Sequence, residues 1–196
     1  MKNILFHFIL LLFLNTTLFA ANFSSYPPAL HAPITKLLSF PKANQLLHNV
    51  EKKRGKIKVQ LKSFSFSTQN AMWNPKGRSI ILHPQRKRHE GEVIRLILFE
   101  LHNAKNQDKF HKVDMLANRG RIDRESYIRA IEYIEYENVM ETVALINEGI
   151  RQGYYPQNAY WKVHADFEKH YALQKQAGHS QFIGQTYDKI TATFGA

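Results

Sequence analysis

Cysteine is absent from this 196-residue chain. That excludes a disulfide framework, a thiolate metal site, a thiol nucleophile and a lipid-modified cysteine. Also missing are an internal repeat, a low-complexity tract, a nucleic-acid-binding module and a Gly-x-Ser-x-Gly nucleophile elbow. Acids are scarce: 16 Asp and Glu against 27 Lys and Arg leave a formal charge of +11. The surplus gathers at Lys52-Lys53-Arg54 and Arg86-Lys87-Arg88. Such patches favour an anionic partner, such as an envelope or host polymer, or form an ordinary solvated surface. Without a module or interleaved aromatics the charge specifies no nucleic acid.

The N-terminus pairs one basic residue, Lys2, with an apolar block at 4–14 and the small residues Ala20 and Ala21. Residues 1–20 therefore read as a secretory signal peptide, and the protein as exported, periplasmic or secreted. About 175 residues then remain, enough for one domain with a core and with no transmembrane span. Residues 21–42, with Pro27, Pro28, Pro33 and Pro41, read as an extended leader, and 43–196 as a single domain.

Along that domain, Leu46, Leu47 and Val50 recur at helical spacing up to Gly55. Residues 56–67 alternate like a strand with a break near Lys62, 73–77 read as a turn, and 79–83 as a second strand. A helix at 92–104 and a short segment ending at Gly120 follow. Next comes a long helix capped by Asp123 and closed by Gly149, then a turn at 153–156 and a helix over 159–176. A last helical segment runs through Tyr187 and Ile190. The expected class is α+β, a small antiparallel or mixed sheet followed by a helical half.

The run at 92–104 is the longest apolar stretch after the N-terminus, and Glu100 falls on its apolar side with Val93, Ile97 and Leu101. A buried carboxylate needs a partner or a use. Asn103 or a tyrosine would serve as partner; the use would be as a general base. His102 projects toward the polar side beside Arg95 and does not join Glu100 and Asn103. On the long helix, Glu132 and Glu135 also face inward. Together with Glu100 and Asn103 they offer oxygen ligands for a hard divalent cation, although no histidine lies at a useful offset from Glu100. The expectation is no cofactor and no metal, with a divalent cation as the alternative. His179-Ser180 lacks the setting of a nucleophile.

The segment Leu98-Phe99-Glu100-Leu101-His102-Asn103-Ala104 resembles the active-site helix of zincin metallopeptidases, whose His-Glu-x-x-His supplies two zinc ligands and a base. Phe99 and Asn103 stand at the ligand positions, and only Glu100 keeps the motif's identity. Glu132 or Glu135 resembles, in order along the chain, the third ligand of the glutamate class. The resemblance implies a zincin-like fold without zinc ligands. It points to a pseudoenzyme that binds a protein or peptide in its former cleft, lined by Phe99, Asn103, Glu132 and Glu135. The alternative it leaves is a hydrolase with an unconventional metal or carboxylate site around Glu100.

Overall fold

The structure, a computed structural model, describes residues 21–63, 70–84 and 88–192. The signal-peptide segment 1–20, the strand positions Phe64 and Phe66, and Arg86 and Lys87 of the second basic cluster lie outside the described residues.

The described residues begin extended. Ser24 N donates to Ile57 O (2.7 Å), Val59 N donates to Ser25 O (2.9 Å), and Asn44 clasps Ala21 through both its amide groups. The expected extended leader ends there. A 3-10 turn at Pro28–Leu30 leads into α1 (His31–Ser39) and α2 (Pro41–Arg54). Its prolines permit this because Pro28 and Pro41 start their elements and Pro33 falls in the first turn of α1, where no intrahelical N–H bond is forfeited. Gly55, at φ 86°, stops α2.

Three short strands follow, β1 (Lys58–Leu61), β2 (Ala71–Asn74) and β3 (Ser79–Leu82). Their order is β1-β3-β2, with β1 parallel and β2 antiparallel to β3, so the sheet is mixed and the class is α+β. Strand β2 corrects the turn expected at 73–77. Trp73 and Asn74 still pair with Ile80 and Ser79. The reversal comes after them, held by Gly77 N donating to Asn74 Oδ1 (3.1 Å), with Arg78 in the left-handed region at φ 47°.

Helix α3 (Glu90–Lys105) crosses the sheet and packs on α1 and α2. Then come α4 (Gln107–Asn118), α5 (Arg124–Arg151), a 3-10 turn at Gln157–Ala159, α6 (Phe167–Gln176) and α7 (His179–Ala192). Asp123 caps α5 as expected, accepting from Ser126 N at 2.8 Å. Gly149 does not end that helix. A Cβ there would lie 2.4 Å from the Tyr155 ring, so the glycine makes room for a buried aromatic, and the chain turns at Gly153 instead. Likewise only the last part of 159–176 is helical, starting after Asp166, whose carboxylate accepts from Lys169 N (2.9 Å).

Two apolar cores result. One joins α1, α2, α3 and the sheet; the other joins α4, α6 and α7. Helix α5 belongs to both, through Ile146 in the first and Tyr127, Ile128 and Ile131 in the second. Between those ends it buries Glu132, Asn138 and Thr142. Among the described residues no helix is long and apolar enough to cross a membrane.

Candidate functional site

The periodicity that turned Glu100 inward places it against the sheet, 3% exposed. One oxygen, Oε2, accepts from Trp73 N (2.8 Å) and from Asn103 Nδ2 (2.9 Å). Because His83 N bonds Asn70 O, the antiparallel alternation turns the Trp73 N–H away from β3. Glu100 therefore satisfies an open N–H on the sheet's edge strand. The network continues into α5: Asn138 Nδ2 donates to Asn103 Oδ1 (2.8 Å), and Asn106 Nδ2 donates to Asn138 Oδ1 (2.5 Å). Burial pushes the Glu100 carboxyl up to about 7, with the charge of Glu135 adding and the two hydrogen bonds opposing.

A second cluster lies where α5 meets α7. Glu132, wholly buried, accepts at Oε1 from Ser180 Oγ (2.7 Å) and faces His179 Nδ1 (3.1 Å). Its other oxygen, Oε2, is buried with no hydrogen-bond partner. Glu135, nearly one turn further on, brings Oε2 to 3.5 Å from His179 Nε2. Burial raises Glu135 to about 6, against the pull of His179. Burial alone would lower His179, but the bond to Glu132 and the charges of Glu135, Glu132 and Glu100 prevail and raise it to about 9.

Both clusters open onto one cleft of about 650 Å³, bounded by β2, α3, α4, α5, α6, α7 and the segment holding Trp161. Phe99, Glu100, Asn103 and Glu135 line it, and Glu132 sits behind Glu135 and His179. Phe99 packs edge-on against Trp161, with ring centroids 5.8 Å apart and planes at 89°. Further walls come from Trp73, Phe110 and Phe182. No Lys or Arg is among the described lining residues, whereas Glu100, Asp114 and Glu135 are.

His102 corrects the expectation of a polar-side residue. It is 5% exposed, with Nδ1 3.0 Å from Leu98 O and 2.9 Å from Thr142 Oγ1, and burial pulls it down to about 4, leaving it neutral. Sequence reasoning did not assign His179, Ser180, Trp73 or Trp161 to the site. Ser180 lies 48 residues from Glu132, and no local pattern announces that approach.

The basic residues are partly engaged within the fold. Lys53 and Arg54 both reach Asp108 at 2.7 Å, and Arg54 Nε also donates to Ala104 O (3.2 Å). Arg88 donates to His83 O and Asn70 O, tying the residue before β2 and the residue after β3 to the start of α3. Lys52 is exposed at the end of α2.

No family model, curated protein or solved structure matches this chain.

Proposed function

We propose that this chain is an exported, non-catalytic binding protein on a zincin-like scaffold. Its cleft takes an extended segment of a protein partner and seats a Lys or Arg side chain of that segment. The observation that carries this reading is the segregation of charge. A chain with 27 Lys and Arg presents none of them among the described residues of the cleft, while three carboxyl groups line it against one raised histidine, His179. Aromatic walls supply the contact area that a peptide anchor needs. The two positions where a zincin would hold zinc also favour binding over cleavage. Phe99 is packed on Trp161, and Asn103 both donates and accepts within the protein.

Both tryptophans of the chain, Trp73 and Trp161, line the cleft, so intrinsic fluorescence reports its occupancy. Titration with Lys- or Arg-bearing peptides is expected to give a saturable shift that weakens with salt and vanishes when the cation is replaced by norleucine. An equal response to the neutral peptides would refute the reading.

A hydrolase is the second reading, favoured by one observation: the Glu100 carboxyl, raised to about 7, faces a cleft shared with Glu135 and His179. Peptide cleavage detected by mass spectrometry, and lost in a folded Glu100→Gln variant, would establish it in place of the first.

A further inference from the structure

We propose that Glu132, Glu135 and His179 form a metal site, holding one divalent transition-metal ion of the zinc or manganese kind on the wall of the cleft. The site does not rest on the peptide-binding reading, and neither Glu100 nor Asn103 belongs to it.

One ligand atom from each of the three residues lies within 4.8 Å of the other two, a spacing that lets them converge on a single ion. The donor set is one imidazole nitrogen and two carboxylate oxygens. Imidazole suits zinc and the two carboxylates admit manganese, whereas calcium and magnesium prefer all-oxygen shells.

The independent observation is the buried second oxygen of Glu132. Ser180 and His179 answer Oε1 only; Oε2 has no hydrogen-bond partner although the residue is wholly enclosed. Native proteins rarely leave a buried acceptor bare, and a bound ion is one of the few reasons for it. The Ser180 hydroxyl meanwhile fixes the carboxylate as an outer partner does in a metal centre. Glu135 and His179 line the cleft while Glu132 lies behind them, so the remaining coordination positions face the cleft. Uptake exchanges the imidazolium proton of His179 for the ion and releases that proton to solvent.

The test uses the full chain, purified without chelators or affinity metals, analysed for metal content, then stripped and titrated calorimetrically with zinc and manganese chlorides. One equivalent of binding is expected. Glu135→Gln and His179→Asn should each weaken it by at least about tenfold. His48→Ala, exposed on α2, should leave it unchanged. Circular dichroism verifies the fold of each variant. Manganese broadening of the His179 ring resonances in the unaltered chain gives a reading that needs no variant. A folded chain that takes up neither metal, uptake that both variants retain, or broadening confined to other histidines would each overturn the proposal. Metal uptake without peptide binding would leave this site standing and sink the peptide reading, and the converse holds.

Discussion

Glu100 and Glu132 are both carboxylates shut away from water, 3% and 0% exposed, on helices that pack together. Their surroundings differ. Glu100 ends a chain of amides in which Asn103 and Asn138 each give and receive and Asn106 gives, and it closes an edge N–H of the sheet. Each carboxylate has one oxygen doubly engaged, but among the described residues only Glu132 has its second oxygen fully buried with no partner. A satisfied network rigidifies and specifies a packing, whereas an unsatisfied buried group asks for something outside the chain. The motif-bearing acid thus fits the architecture, and the acid without a motif carries the stronger chemical demand.

The largest effect should come from breaking the satisfied side. Asn103→Leu removes a donor from Glu100 and strands the Asn138 amide, which should cost about 3 kcal/mol in urea unfolding. Glu100→Gln is gentler because both donors use the same oxygen, and an amide oxygen accepts both. Its effect depends on pH. The folded carboxyl, at about 7 against an ordinary 4.5, binds protons more tightly than the unfolded one. Its contribution is therefore present below about 4.5 and is lost as pH rises through about 7. The variant should match the parent at pH 5 and exceed it by about 2 kcal/mol at pH 8. His179, raised to about 9 from 6.5, has the same sign, so some loss between pH 6.5 and 9 should persist in the variant.

Phe99→Ala tests the aromatic wall of the cleft. Losing the edge-on contact with Trp161 should cost about 1–2 kcal/mol and shift tryptophan emission to the red. The smallest change is expected on the open side. Glu135→Gln should alter stability by less than about 1 kcal/mol, since the residue is partly exposed and makes no direct bond to the core. Histidine titration by NMR should nonetheless show the His179 value falling below about 9.

Much of the helical frame was legible. The inward turn of Glu100 followed from residue spacing alone, as did the Asp123 cap. Strand β2 was not legible, because Ala71-Met72-Trp73-Asn74 are all half-buried and show no alternation, and they run into Pro75 and Gly77, which read as a turn. The leader's helices were hidden by prolines that stand where helices tolerate them. Gly149 misled because its role is set by Tyr155 across the helix surface. Half of the candidate site was visible as inward acids. The other half, His179 and Ser180, depends on α7 docking against α5, a tertiary event with no periodic signature.

Helix α5 runs 28 residues, about 42 Å, with one end in each apolar core and polar side chains between them. It acts as a common axle. Neither half can melt and leave it intact, so its amides should exchange with deuterium together, only through global opening, and the two cores should lose structure in a single transition. A ligand gripping the midpoint of that axle would slow exchange at both ends, far from anything it touches.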